Sequence, residues 1–386
     1  ILVLNKFSLK NYKTFKNEIV IDFSNIAGYQ FSTDCISNGL ISKMLIYGRN
    51  ATGKTNLGRA ITDICGTVFG SVRFEREGIF LNADSDEEAA EFIYEFIFGE
   101  DDVIYKYKRK SPQELKDEEL IVNGNSIFRC DFKNDTYNFD NLLYINAETA
   151  RIDRYMQMLR TEDADDELHD SQLPFFRWLA NNSAFDNDSP LIKLLSYVRR
   201  MNMVTVSNAI MAKPRQYNEN FFDSLDNEKK LQDFEDFLNI MGIECRLVIK
   251  RLPDGQRQLY FRHHRLVPFY ETASSGTLAL VHLYRRLIPR DWEPSFIYLD
   301  EFDAFYHYEM AENVMKFLKS RYPESQIIMT SHNTNLMTNR LMRPDCLFIL
   351  SRSGSLTSLC NATPRELREG HNLEKMYISG EFEKYE

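Results

Sequence analysis

The 386-residue chain is 43% hydrophobic and 27% charged, with a formal net charge of −10. That is the composition of a globular protein long enough for one large or two ordinary domains. No apolar run approaches the roughly 18 residues of a membrane span, no basic leader with a cleavage site opens the chain, and the acidic balance excludes a broadly basic nucleic-acid sheath.

In chain order, Phe7-Ser8-Leu9-Lys10-Asn11-Tyr12-Lys13-Thr14-Phe15 and Ile19-Val20-Ile21-Asp22-Phe23 predict two strands joined by a polar turn. Residues 24–42 read as a loop. Lys43-Met44-Leu45-Ile46-Tyr47 is then an apolar strand running into Gly48-Arg49-Asn50-Ala51-Thr52-Gly53-Lys54-Thr55-Asn56. This fits G-x-x-x-x-G-K-[ST] between a strand and a helix. The glycines let the backbone curl with its N–H groups inward, a nest for phosphate oxygens, and the helix start adds its unpaired N–H groups. Lys54 is expected to reach the β- and γ-phosphates of ATP, and the Thr55 hydroxyl to bind Mg²⁺. A glycine-rich turn need not bind anything, but full spacing, the lysine and both flanks together point to phosphate. Leu57, Ala60, Ile61, Ile64, Cys65 and Val68 form one stripe of the following helix.

From Glu91 to Arg129 the pattern is mostly β, with turns at 99–102 and at Asn123-Gly124, predicting an antiparallel subdomain. Residues 149–240 change character. Leu191, Leu194, Leu195 and Val198 fall at helical spacing, as do Leu231, Phe234, Phe237 and Leu238, while Pro174, Pro190 and Pro214 punctuate the segment. A helical insertion without sustained heptads is expected, and the acidic run 162–167 reads as a solvated loop. Strands return at 245–252 and 258–261 around Pro253-Asp254-Gly255. Alternating helix and strand signals then run to Leu350, which predicts a mainly parallel sheet covered by helices. The expected divisions are 1–148, 149–240 and 241–386.

Three further stretches carry chemistry. Phe296-Ile297-Tyr298-Leu299-Asp300-Glu301 is an apolar strand ending in two carboxylates. Asp300 is placed to hold Mg²⁺, and Glu301 to polarise an attacking water as general base. Ala273-Ser274-Ser275-Gly276-Thr277 heads a helix, with small residues that suit a γ-phosphate but equally an ordinary N-cap. Ser331-His332-Asn333 follows another strand, where His332 can sense the γ-phosphate. Six cysteines (35, 65, 130, 245, 346, 360) form no C-x-x-C, favouring reduced thiols in a cytoplasm over disulfides or zinc. Arg246, Lys250, Arg251, Arg257, Arg262 and Arg265 cluster, as do Arg285, Arg286 and Arg290. Solvated faces account for both clusters more simply than a nucleic-acid track.

The order phosphate loop, Ser-Ser-Gly-Thr, Leu-Asp-Glu, Ser-His resembles the ABC-type ATPase heads of the SMC/OLD (overcoming-lysogenization-defect) group. More narrowly, it is similar to bacterial abortive-infection and retron-associated anti-phage ATPases. Leu9 to Phe15 resembles that group's opening strand, Asp300 to His307 its Walker B and D-loop run, and Asn372 to Phe382 its C-terminal tail. The resemblance implies an α/β P-loop NTPase with an ABC-ATPase head, ATP and Mg²⁺ as cofactors, and a head-to-tail homodimer. In that dimer Ser274, Ser275 and Gly276 of one copy face the γ-phosphate held by Lys54 of the other, and Asp303 lies at the seam. It also implies a sensor or scaffold that controls a separate effector protein in anti-phage defence. A DNA-clamping repair or chromosome-organising head is the alternative. Thr277 replaces the second glycine of transporter-type signatures, and Arg49 stands where the group often has Pro.

Overall fold

A computed structural model describes residues 2–70, 79–161, 173–205, 221, 225, 227–288 and 292–386. The acidic run 162–167, Pro214 and Arg290 lie outside the described residues.

Two sheets sandwich one helix. The first sheet has six strands in the order Met201–Thr205, Phe296–Asp300, Gln326–Ser331, Lys43–Tyr47, Leu347–Leu350 and Leu356–Ser358. The first five are parallel and the last is antiparallel. Every residue of Lys43–Tyr47, Phe296–Asp300 and Gln326–Ser331 is buried, as strands covered on both faces must be. The second sheet is antiparallel and seven-stranded: Thr136–Asn138, Asn125–Asp131, Leu115–Val122, Asp101–Arg109, Ala90–Phe98, Leu2–Lys10 and Ile19–Asp22. Ala90–Phe98 is buried at every second position, so this sheet has one core face and one wetter face. The chain is thus an α/β protein with a mixed, mainly parallel core sheet and an antiparallel β subdomain.

Helix Lys54–Phe69 lies between the sheets and buries Leu57, Ala60, Ile61, Ile64 and Val68. On the antiparallel side, the Tyr94 hydroxyl donates to the Ala60 carbonyl (2.7 Å) and the Tyr107 hydroxyl to Asp63 (2.7 Å). On the parallel side, Gly58 sits so close to the Tyr298 ring that a Cβ would overlap it. A buried amide also links the two sheets. Gln326 donates to the Leu4 carbonyl (2.7 Å) and accepts from the Leu4 N–H (2.8 Å) and the Tyr197 hydroxyl (2.7 Å). This link coincides with a register shift between Leu4 and Lys6, a bulge that turns backbone groups out of the ladder.

Three expectations change. The opening strand is Leu2–Lys10, and it stops because Asn11 and Lys13 adopt left-handed backbone (φ +53° and +47°) in a tight turn. Residues 24–42 carry a short 3-10 turn, Thr33–Cys35, and a small hairpin of Ile36–Ser37 with Leu40–Ile41. The segment 149–240 holds the helices Ile152–Thr161, Phe175–Asn182, Pro190–Arg199 and Glu228–Ile240. However, Met201–Thr205 within it is a strand of the core sheet, parallel to Phe296–Asp300. The segment is therefore not a purely helical insertion. Its strand shows four consecutive buried residues, so no period-two alternation marked it in the sequence. Among the described residues, no helix is long and apolar enough to cross a membrane.

Candidate active site

Three adjacent parallel strands, Lys43–Tyr47, Gln326–Ser331 and Phe296–Asp300, end at one edge of the core sheet, where doubly wound folds place their ligands. The loop after Tyr47 is shaped by contacts that tolerate little else. A Cβ at Gly48 would meet Thr52 Oγ1 at 2.6 Å and the Leu350 carbonyl at 3.0 Å. Ala51 and Gly53 take left-handed backbone (φ +65° and +103°), and such reversals turn successive N–H groups into one concavity. Gly53 caps the helix without a side-chain hydrogen bond, leaving the first-turn N–H groups for an anion. Thr14 and Phe15 press on Gly53 from outside, and Asn56 donates to Thr14 Oγ1 (3.3 Å). The opening turn of the chain thus braces the loop.

Lys54 is buried, and its ammonium donates to the Gly48 carbonyl (2.7 Å) and the Arg49 carbonyl (3.1 Å). Burial lowers its pKa, against the pull of Glu301 and Asp300. Thr52 Oγ1 donates to the Arg49 carbonyl (3.0 Å), Asn50 and Ala51 are exposed at the lip, and Arg49 pairs with Glu386 (2.6 Å).

Asp300 ends its strand fully buried. The Thr55 hydroxyl donates to one carboxylate oxygen (2.7 Å) and the Thr330 hydroxyl to the other (3.2 Å). Burial raises its pKa, and these two hydroxyls oppose the shift. Glu301 is left-handed (φ +49°), with its N–H held by Thr330 Oγ1 (2.8 Å). That reversal takes the second carboxylate off the buried strand: Glu301 is 39% exposed, and His332 Nε2 lies 3.2 Å from its Oε1. Asp303 is buried, accepts from the Ser331 hydroxyl (2.7 Å), and has its pKa raised by burial. A hydroxyl and a buried carboxylate 2.7 Å apart are hard oxygen donors of the kind Mg²⁺ prefers. Beside the nest, this donor set fits a magnesium nucleotide.

The structure thus brings Thr55 to Asp300, Glu301 to His332, and Lys54 to the rim of its own loop. It does not bring Ser274–Gly276 to them. Ser274 caps helix Ser275–Leu287 by accepting from the Thr277 N–H (3.1 Å). Ser274 and Ser275 are exposed, and Gly276 is buried against the Phe305 carbonyl. Among the described residues, no hydrogen bond joins 274–276 to 48–55. Thr330 went unnoticed in the sequence, although it grips both carboxylate positions; its signal was the hydroxyl pair Thr330-Ser331 immediately before His332. Tyr298, whose hydroxyl donates to the Lys54 carbonyl, carried no such signal.

No curated protein matches the sequence. Among solved structures the chain is similar to the SMC head domain from Thermotoga maritima (16% identity, 92% of this chain and 98% of that one, TM-score 0.45). It is also similar to the Smc head domain with an extended coiled coil bound to the C-terminal domain of ScpA, derived from Pyrococcus furiosus (16%, 99% and 100%, TM-score 0.48). A third is the Smc head domain with a coiled coil and joint from Pyrococcus yayanosii (15%, 94% and 98%, TM-score 0.47). The model of the family described as "AAA domain, putative AbiEii toxin, Type IV TA system" matches residues 43–338, and the chain belongs to that family of P-loop ATPase domains.

Proposed function

We propose that the chain binds Mg²⁺·ATP and hydrolyses it slowly in a head-to-tail homodimer whose closure controls a separate effector in bacterial anti-phage defence. The observation that carries this is the split site. The loop 48–55, Asp300, Glu301 and His332 gather at one sheet edge, while the serine-tipped helix start at Ser274 and Ser275 faces solvent elsewhere on the same chain. A second copy supplies that helix start to the γ-phosphate, neutralising charge that one chain leaves open to water.

In this assignment Lys54 and the loop N–H groups grip the β- and γ-phosphates, and Thr55 and Asp300 hold the metal. Held by these two side chains, Mg²⁺ would supply Lewis-acid stabilisation of phosphoryl charge. Glu301 takes a proton from the attacking water, His332 orients Glu301, and Asp303 sits at the seam. The family description names a toxin of a toxin–antitoxin system, in keeping with a role in defence. The sequence carries no H-E-x-x-H or zinc set of its own, in keeping with a separate effector.

Complementation tests the split site. Lys54→Ala and Ser275→Arg chains are each expected to be inactive, and their mixture to recover hydrolysis, because one site of the mixed dimer keeps both halves. Failure of the mixture to recover, with each variant folded and dimeric, refutes the head-to-tail arrangement. Magnesium-dependent DNA cleavage by the purified chain refutes the separate effector.

A further inference from the structure

Of the two basic clusters in the sequence, one is used internally. Arg286 donates to Asn202 Oδ1 (3.0 Å) and the Met203 carbonyl (3.2 Å), and Arg285 stacks over Phe221 (5.4 Å). The other cluster, Arg257 aside, is not consumed in this way. It lies on an antiparallel ribbon of Leu247–Arg251, Arg257–Arg262 and Leu266–Pro268. Between Arg246 and Arg265 there are six cations and one carboxylate, Asp254, on a chain of net charge −10. Asp254 accepts from its own loop at the Gln256 N–H (3.0 Å). Arg246, Lys250, Arg251, Arg262 and Arg265 are exposed, and among the described residues none of the five makes an ion pair.

Register sorts these cations by face. Val248 pairs with Tyr260 and Lys250 with Gln258, and the Arg262 N–H donates to the Arg246 carbonyl (2.7 Å). Partners share a face and alternate residues do too, so Arg246, Lys250 and Arg262 surround Tyr260 on one side. The other side carries Leu247, Ile249, Leu259 and Phe261, with Phe261 packed on Phe269 (4.6 Å). Toward the tip, that apolar side gives way to the pair Arg251 and Arg257. The third strand reaches only as far as Tyr260, so the ribbon is two-stranded beyond it and has cations on both faces.

We infer that this ribbon is a docking surface for duplex DNA, lying in the major groove with its cations on the phosphates of both walls. A B-form major groove admits a two-stranded ribbon, and a ribbon lying there meets phosphates on both sides. A-form RNA closes its major groove to side chains, and a single-strand track would use only the basic face around Tyr260, leaving Arg251 on the opposite face without a phosphate. The inference stands apart from the nucleotide site, because binding at the ribbon needs no ATP.

The test is fluorescence anisotropy of a labelled 25-base-pair DNA of arbitrary sequence with the full chain, without nucleotide, between 50 and 200 mM salt. With about five phosphate contacts, affinity is expected to fall roughly 500-fold over that range. The triple variant R246Q/K250Q/R262Q should lose about 40-fold of that salt response, with unchanged melting temperature and ATP binding. R246K/R262K should keep it. Wild-type affinity and salt slope in a folded triple variant overturn the inference. Single-stranded DNA or duplex RNA of the same length binding as tightly as duplex DNA, with the same dependence on these residues, also overturns it.

Discussion

Glu301 offers a substitution in which activity and stability part company. Its backbone is left-handed (φ +49°), its side chain is 39% exposed, and among the described residues its side-chain partner is His332 at 3.2 Å. Glu301→Gln keeps length, backbone and an oxygen for His332, but removes the proton acceptor. Loss of a general base typically costs 10²–10⁴-fold, so phosphate release should fall by about that factor. Mg²⁺·ATP binding should hold, because Asp300 and Lys54 are untouched, and the closed dimer should accumulate on size-exclusion chromatography. Glu301→Gly should be equally inactive, yet it relieves a left-handed conformation that costs an L-residue about 1–2 kcal/mol. Against that stand the added chain entropy of glycine, about 0.4–1 kcal/mol, and a half-exposed pair worth about 0–1 kcal/mol. The glycine variant should therefore melt at or slightly above wild type, whereas Glu301→Ala, which keeps the strain, should melt below it. Hydrolysis by Glu301→Gln within tenfold of wild type refutes the base assignment. A clear loss of stability in Glu301→Gly refutes the account of the strain.

Three other outcomes follow from the same geometry. Lys54→Ala should weaken Mg²⁺·ATP binding by about 10–100-fold in a titration, since each charge-assisted phosphate contact is worth about 1.5–3 kcal/mol; unchanged affinity counts against the phosphate loop. Gly58→Ala should cost about 1–3 kcal/mol in urea unfolding from overlap with the Tyr298 ring, despite alanine's better helix propensity, and a stabilised variant would mean that the ring moves freely. Glu118 is buried, accepts from the Tyr105 hydroxyl (2.8 Å) and the Phe175 N–H, and burial holds its carboxyl up at about 7 against an ordinary 4.5. A raised carboxyl pKa favours the fold in its protonated form, so its contribution is complete below 4.5 and is lost as pH rises to about 7. That loss is on the order of 3 kcal/mol. Glu118→Gln should flatten this part of the melting profile, and an unchanged slope there would exclude Glu118 as its source.

Much of the site was legible because its chemistry is local. The loop 48–55 announces itself by spacing, and Asp300-Glu301 and Ser331-His332 each close an apolar run where a strand must end. Other features depended on pairing between distant segments. Thr330 matters only because Gln326–Ser331 lies directly beside Phe296–Asp300 in the sheet, which puts one hydroxyl within reach of Asp300 and the Glu301 N–H. The brace of Thr14 and Phe15 on Gly53, and the Arg49–Glu386 ion pair, join residues far apart in the chain. Met201–Thr205 was hidden because burial on both faces erases alternation, and a short apolar run flanked by helices has no period of its own.

Burial acts on Lys54 and Asp300 in opposite senses. It lowers the pKa of the lysine and raises that of the aspartate, so in both cases the charged form is the disfavoured one. Lys54 answers by donating to two loop carbonyls, and Asp300 by accepting from two hydroxyls. A polyphosphate beside the ammonium and a divalent cation beside the carboxylate would favour the charged form of each. The edge of the sheet thus sets one buried ammonium near one buried carboxylate, each held by hydrogen bonds with its neighbours, a pairing that would suit a metal–phosphate ligand.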